Sequence, residues 1–128
     1  MNATEAMKEK HLELLERYIR SWLTRDIVMF LGTLGENIDI RECYGASYSS
    51  RSEAEKWFRV WNERGKVTSW VINDSYFDSD RGVLIATWEF CHEYPGVDVP
   101  RFDGVTLLSV EGERIVTLHE YETKHERY

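Results

Sequence analysis

The sequence predicts an α+β fold in which helices cover one face of a curved, mixed but mostly antiparallel sheet. Helical patterns fill most of the first half of the chain, and one strand pattern interrupts them. Strand patterns fill the second half almost without a break. The 128 residues, 42% of them hydrophobic, are enough for a substantial core but too few for two domains, so one domain over 1–128 is expected.

Two helices are predicted at the start of the chain. The first runs from Thr4, as its N-cap, to about Leu23, because apolar residues recur at helical spacing along one side. Thr24 and Asp26 then open a short second helix, Ile27 to Leu31, which Gly32 or Gly35 ends.

The third helix carries the clearest signals. Ser50 and Glu53 form a capping box, and Gly65 marks the C-terminal end of a helix from Arg51 to Arg64. Its apolar side is made by Ala54, Trp57, Phe58 and Trp61. This spacing places all four on one face, so the helix is strongly amphipathic.

One strand, 36–45, is predicted between the second and third helices, with Ile38, Ile40 and Glu42 on its inward face. Four long strands are predicted over 66–77, 83–94, 97–110 and 114–122. A strongly curved sheet closed by helices leaves a conical cavity, which the inward residues should line.

Composition excludes several classes of function. The net charge is −7, and no basic stripe is present, so neither nucleic acid nor an anionic membrane is an expected partner. No 18-residue apolar run or signal peptide is visible, and the expected location is cytoplasmic. The four histidines are scattered, and Cys43 and Cys91 form no CxxC pair, so free thiols and no metal are expected. The sequence also lacks G-x-S-x-G, P-loop and G-x-G-x-x-G motifs, and no cofactor is predicted.

Tyr18 and Glu42 are the first candidate site residues. Tyr18 is a polar group on the buried stripe of the first helix, and Glu42 ends the apolar face of the first strand. Burial removes water from a carboxylate and raises its pKa toward that of a useful acid or base. Two alternatives stay open: Tyr18 is simply a packed core ring, or the strand ends by residue 41 and Glu42 lies at the rim.

The order of elements resembles the nuclear transport factor two-like superfamily, over nearly the whole chain. The resemblance rests on Arg17-Tyr18 eight residues before Asp26, on the strand ENIDIRECYG, and on the terminal strand GERIVTLHEY. The most similar branch contains ketosteroid isomerase and the SnoaL-like polyketide cyclases. The resemblance implies a cystatin-like, cone-shaped half-barrel in which three helices from the first half of the chain enclose a pocket.

The resemblance also implies catalytic roles. Glu42 falls on the isomerase's catalytic base, and Tyr18 falls on the tyrosine that donates to the developing oxyanion. The isomerase's second donor, a protonated aspartate, aligns with Val105, so the chain departs from the pattern there. Asp103 lies two residues earlier, near an aspartate of the SnoaL-like cyclases, and is a candidate acid or base. Such a site removes a proton next to a carbonyl group and stabilises the enolate.

The expected ligand is a small hydrophobic or aromatic molecule that carries a carbonyl group. The apolar wall of the pocket is predicted to consist of Trp22, Phe30, Trp57, Trp61, Trp88, Phe90, Leu107 and Leu118. Glu120, two residues after Leu118, is a further polar candidate, and its alternative is an outward charge at a strand end. The tryptophans have the alternative of being ordinary core residues.

Two other functions remain open. One is a non-catalytic ligand-binding or dimerisation module, since the resemblance implies a homodimer through the outer sheet face. That face would carry Thr87, Glu89, Cys91, Thr117, His119 and Tyr121. The weaker one is epoxide hydrolysis of the limonene epoxide hydrolase type, which needs an Asp-Arg-Asp relay whose arginine the sequence does not identify.

Overall fold

A computed structural model describes residues 2–43, 45–98 and 101–123. The elements, in chain order, are α1 (Ala3–Thr24), α2 (Ile27–Thr33), β1 (Leu34–Arg41), β2 (Ser47–Tyr48), α3 (Arg51–Arg64), β3 (Lys66–Asp78), β4 (Val83–Glu93), β5 (Arg101–Glu111) and β6 (Arg114–Thr123). Three helices and five long strands occur in the predicted order, which confirms the α+β class. The two-residue strand β2 was not predicted, because it is too short to show alternation.

The six strands form one sheet in the order β2-β1-β6-β5-β4-β3. β1 and β6 are parallel, and the other neighbours are antiparallel. The sheet is therefore mixed and mostly antiparallel, as predicted. The bounds of β1 and β5 differ most from the prediction: β1 ends at residue 41 instead of 45, and β5 starts at residue 101 instead of 97. Residues 99 and 100, which the prediction placed in the same strand as β5, lie outside the described residues.

Capping side chains set where two of the helices begin. Asn2 caps α1 by accepting a hydrogen bond from the Glu5 N–H at 2.8 Å, so the prediction of Thr4 as the cap is wrong. Ser50 caps α3 as predicted, accepting from the Glu53 N–H at 3.2 Å. Each cap satisfies an N–H that the helix itself leaves without a partner.

The short helix α2 shows where a glycine signal misleads. Asp26 caps it, with the Met29 N–H donating to its carboxylate at 3.0 Å. The helix then continues through Gly32 to Thr33, and β1 begins at once with Leu34. The predicted stop at a glycine is therefore wrong.

The core lies between the helices and one face of the sheet, which we call the inner face. Fully buried side chains come from both layers, including Leu15 and Tyr18 of α1, Phe30 of α2 and Leu108 and Leu118 of the sheet. The opposite side is the outer face. In the described part of the chain, no helix is both long enough and apolar enough to cross a membrane.

Gly104 allows the largest buried side chain of the sheet to lie across β5. A Cβ at this position would come within 2.4 Å of the Trp88 ring and 2.5 Å of the Tyr121 carbonyl oxygen. The Trp88 indole N–H donates to the Thr106 hydroxyl at 2.8 Å. Glycine and threonine on β5 therefore fix the Trp88 ring on the inner face.

Candidate functional site

A cavity of about 70 Å³ lies between the helices and the inner face of the sheet. Its walls are aromatic and contain two carboxyl groups. It is lined by Tyr18, Trp22, Glu42, Cys43, Trp57, Trp61, Val67, Trp70, Trp88, Phe90, His92, Phe102 and Glu120. The chain has five tryptophans, and all of them are in this lining.

The tryptophans hold one another mainly edge to face. Trp22 of α1 lies 4.9 Å from Trp57 and 5.5 Å from Trp61 between ring centroids, at interplanar angles of 61° and 88°. On the sheet side, Trp70 and Trp88 are 5.6 Å apart at 76°. Such pairs stabilise beyond the area they bury and restrict ring rotation. The cavity walls are therefore defined by mutual packing of the rings.

Tyr18 of α1 places a phenol within this wall. Its side chain has no exposed surface, and its hydroxyl has no hydrogen-bond partner among the described residues. Burial, and after it the nearby Glu120 carboxylate, raises the pKa of Tyr18 well above its ordinary value. The Trp22 indole N–H opposes this increase, although it does not form a hydrogen bond with the phenol. The phenol is therefore neutral and available as a donor.

Glu120 of β6 is the second acid of the cavity. It pairs with Thr106 on the inner face, two residues after the buried Leu118. Part of its surface faces the cavity, yet the protein packed around it raises its pKa from 4.5 to about 8, and Glu42 adds a smaller increase. The alternative of an outward charge does not apply. At neutral pH Glu120 is mainly protonated, so its carboxylic acid O–H is a potential hydrogen-bond donor.

Glu42 lies just after the end of β1, in a tight turn. Its N–H donates to the Ala46 carbonyl at 2.9 Å, and the Gly45 N–H donates to its carbonyl at 3.0 Å. The strand does end at residue 41, but the half-buried Glu42 still lines the cavity. Burial raises its pKa above the ordinary value.

A groove of about 350 Å³ adjoins the cavity, and we call it the outer groove. It is lined by Glu42, Tyr48, Trp57, Val60, Trp61, His92, Tyr94 and Val97. Four of these residues also line the cavity: Glu42, Trp57, Trp61 and His92. Glu42 therefore lies at the junction of the two spaces.

Most of the predicted site residues meet at the cavity. Those in its lining are Tyr18, Trp22, Glu42, Trp57, Trp61, Trp88, Phe90 and Glu120. Phe30 and Leu118 are fully buried in the core and do not line the cavity. The structure thus gathers residues from α1, α3, β4, β6 and the turn after β1.

Two predicted site residues, Asp103 and Leu107, lie on the outer face of the sheet, away from the cavity. Their cross-strand neighbours are Glu89 and Thr123 for Asp103, and Ile85 and His119 for Leu107. On β5 the buried positions are Phe102, Gly104, Thr106 and Leu108. The placement of Asp103 and Leu107 at the site is therefore corrected. Both faces of β5 carry apolar residues, and alternation alone does not say which face turns inward.

Five lining residues were missed from the sequence: Cys43, Val67, Trp70, His92 and Phe102. β3 contains two register shifts, between Val67 and Ser69 and between Ile72 and Asp74. These shifts interrupt the alternation that would have placed Trp70. Burial raises the pKa of the Cys43 thiol to about 12, so this cysteine is a poor nucleophile at neutral pH.

The lining also bears on metal and relay chemistry. No arginine or aspartate is among the described residues that line the cavity, so an Asp-Arg-Asp relay has no counterpart there. Within the described ranges, no group of three or more His, Cys, Asp or Glu side chains is placed to hold a metal ion. The titratable side chains of the described lining are Tyr18, Glu42, Cys43, His92 and Glu120.

No protein-family model matches the chain, and no curated protein sequence matches it. Solved structures do. A protein from Bacillus subtilis, provisionally assigned as an isomerase, superposes with a TM-score of 0.81 at 17% identity, over 96% of this chain and 90% of that one. An LEH-like epoxide hydrolase from M. tuberculosis gives 0.78 at 12% identity, over 91% and 80%.

A third similar structure contains a bound ligand. It is a hypothetical protein from Catenulispora acidiphila with a ketosteroid isomerase-like fold, in complex with trimethylamine. Its TM-score is 0.74 at 16% identity, over 85% of this chain and 84% of that one. These low identities show a shared fold and leave the activity to be argued from the site itself.

Proposed function

We propose that this chain, which has the fold of the nuclear transport factor two-like superfamily, binds a small carbonyl compound and moves a proton on the carbon next to the carbonyl group. One observation carries the proposal. Glu120, with a pKa of about 8, and the buried phenol Tyr18 line the same aromatic cavity as Glu42. Two neutral donors and one carboxylate at the rim are the groups that enolisation needs.

The two donors would hold the carbonyl oxygen. As a proton leaves the neighbouring carbon, negative charge moves onto that oxygen, and hydrogen bonds from Tyr18 and protonated Glu120 strengthen. Ketosteroid isomerase uses a tyrosine and a protonated carboxylic acid in this way. Glu120 thus takes the place of Asp103, which the sequence indicates as a candidate acid or base.

Glu42 would be the base. In its ionised form it accepts the proton from the carbon, and the carbon–hydrogen electron pair becomes the enolate double bond. Where the substrate has a double bond between the β and γ carbons, the charge extends over a dienolate, and return of the proton to the γ carbon moves the double bond and completes an isomerisation. Burial raises the pKa of Glu42, so its carboxylate is a stronger base than one in water.

The aromatic wall supports this chemistry by limiting water around the charges. Tryptophan and phenylalanine rings make most of the lining. In such surroundings a hydrogen bond to an oxyanion is worth more than it is in water. The wall and the acids are therefore parts of one site.

Proton exchange tests the proposal directly. The protein is incubated in D₂O with a panel of ketones, and loss of the proton signal next to the carbonyl is followed by NMR. We expect Glu42→Gln to slow exchange by about 10²–10⁴-fold. Glu36→Gln, at an exposed glutamate on β1, is the matched control and should leave exchange unchanged. Equal exchange by the wild type and Glu42→Gln would remove Glu42 as the base.

A second candidate function is binding without turnover, and the lining favours an organic cation for it. All five tryptophans and two glutamates line the cavity, and no lysine or arginine is among the described lining residues. Aromatic faces with nearby carboxylates attract small ammonium ions, and the C. acidiphila structure holds trimethylamine. Saturable quenching of tryptophan fluorescence by trimethylammonium, with no ketone exchange, would favour this function over proton transfer.

We also propose that a second copy of the chain covers the outer face. Half-buried Ile85, Val105 and Leu107 lie there beside Tyr121, which is 51% exposed. A sheet with apolar residues on both faces is stable when both are covered. Sedimentation should show a dimer that Leu107→Glu converts to monomer, while Val28→Glu on α2 leaves the mass unchanged. A wild-type monomer at high concentration would contradict the proposal.

A further inference from the structure

The cavity is too small to enclose a large substrate. Its volume is about 70 Å³, whereas pockets that bury most of a drug-sized ligand have about 300–1,000 Å³. The donors Tyr18 and Glu120 are in the cavity lining and are absent from the lining of the outer groove. The enclosed space therefore suits the carbonyl end of a ligand, and the rest of a larger molecule must lie elsewhere.

Glu42 indicates where the rest would lie. It lines both the cavity and the outer groove. If Glu42 removes the proton, the reacting carbon lies at the junction, because a base must be within hydrogen-bond reach of the proton it takes. A substrate whose oxygen points toward Tyr18 and Glu120 then extends its remaining substituent into the outer groove.

The surface of the outer groove matches an apolar substituent. The Tyr48 and Trp57 rings stack at 4.6 Å with an interplanar angle of 16°. Val60 and Val97 are 51% and 44% exposed, and both line the groove. Besides Glu42, the described lining residues carry aromatic, imidazole or aliphatic side chains. Exposed apolar surface of this kind, next to a polar site, favours a ligand that covers it.

We propose that the outer groove binds the apolar tail of the substrate, so that the substrates are elongated carbonyl compounds with a linear or flat hydrocarbon tail. The inference rests on the proposed proton-transfer function, because that function places the reacting carbon beside Glu42. The deep donors select the carbonyl group, and the stacked pair of Tyr48 and Trp57 with Val60 and Val97 selects the tail.

A series of methyl ketones with increasing alkyl length tests the proposal. Affinity is measured by quenching of tryptophan fluorescence, and exchange in D₂O is measured on the same compounds. Each methylene that reaches the groove should tighten binding about two- to four-fold. Val60→Asp should weaken the longest ketone about tenfold more than the shortest. Val28→Asp is the matched control, since Val28 is an exposed helical valine and does not line the groove.

The outcomes separate the tail site from the activity. If short ketones bind and exchange but affinity does not rise with length, the tail site is overturned and the proposed function stands. If no ketone binds or exchanges, both are overturned. Equal losses in Val60→Asp and Val28→Asp would also overturn the tail site. Val97→Asp, in the turn after β4, is the second variant if Val60→Asp does not fold.

Discussion

The polar side chains on the two sides of the sheet differ in their hydrogen bonding. On the outer face they pair with one another: His119 Nε2 and Asp39 Oδ2 are 3.0 Å apart, and Ser109 and Thr117 share a hydrogen bond. In the layer against the inner face, the Trp88 indole N–H is paired with Thr106. The Tyr18 hydroxyl and the indole N–H groups of Trp22 and Trp70 are buried there without a hydrogen-bond partner among the described residues. These side chains all line the cavity.

The paired and the unpaired polar groups differ in what they cost the fold. A buried donor left without a partner costs about 1–3 kcal/mol, whereas a paired group on a half-exposed face costs little. A fold tolerates the first kind where a ligand completes the hydrogen bonds. We therefore infer that these unpaired donors bind the acceptor atoms of a ligand, such as a carbonyl compound. The predictions below test this contrast, from the largest effect to the smallest.

Removal of the Tyr18 hydroxyl should have the largest effect. Tyr18→Phe deletes one of the two proposed donors to the oxyanion, so proton exchange should fall by about 10²–10³-fold. Stability in urea should stay the same or rise, because the hydroxyl has no partner among the described residues. Tyr76→Phe, at an exposed tyrosine, is the control. Normal exchange together with a loss of stability would assign the hydroxyl a structural role.

The pH dependence of exchange should reveal Glu120. Its pKa is about 8, so the donor form is lost above that pH, and exchange should fall about tenfold per pH unit on the alkaline side. Glu120→Gln keeps an N–H donor that does not titrate. Its exchange rate should therefore lack this alkaline fall. An identical fall in both proteins would place the titrating group elsewhere.

Stability should depend on pH through the same residue. Below pH 4.5 Glu120 is protonated in both the folded and unfolded states. Between about 4.5 and 8 it ionises only when unfolded, because its folded pKa is raised, so its contribution to stability is lost as pH rises through this range. The free energy of unfolding of Glu120→Gln, relative to that of the wild type, should therefore rise by roughly a few kcal/mol between pH 4.5 and pH 8. Urea unfolding at both pH values measures this difference, and the same difference at both would contradict the prediction.

The outer-face pair should matter least. Asp39→Asn weakens the contact with His119. The Asp39 side chain is 37% exposed, and the His119 side chain is 21% exposed. Partly exposed ion pairs contribute about 0–1 kcal/mol, so urea unfolding should change by less than about 1 kcal/mol and exchange should not change. A loss similar to that of a core substitution would break the contrast between the faces.

The sequence predicts those parts of the molecule that depend on local signals. The bounds of α3 follow from Ser50, Glu53 and Gly65, which act within a few residues of the helix ends. The placement of Tyr18 in a buried layer follows from helical spacing on α1. Such signals require no knowledge of distant partners.

What the sequence does not show depends on distant contacts. Asp103 was given the wrong face because both faces of β5 carry apolar residues, and the inward face is identified by a distant contact, the close approach of the Trp88 ring on β4 to Gly104. Trp70 was missed because register shifts in β3 break the alternation. The high pKa of Glu120 arises from burial among side chains that other elements supply. The second donor therefore became visible only in the folded chain.

The proposed donor pair requires Glu120 to be a protonated acid at neutral pH. Its carboxyl carbon can be followed by NMR in protein labelled with ¹³C-glutamate, with Glu120→Gln used to identify the signal. We expect a titration near pH 8, shifted downward in Glu42→Gln because a neighbouring negative charge is removed. A titration near 4.5 would mean that Glu120 is an ordinary ionised carboxylate, and the proposed donor pair would be contradicted.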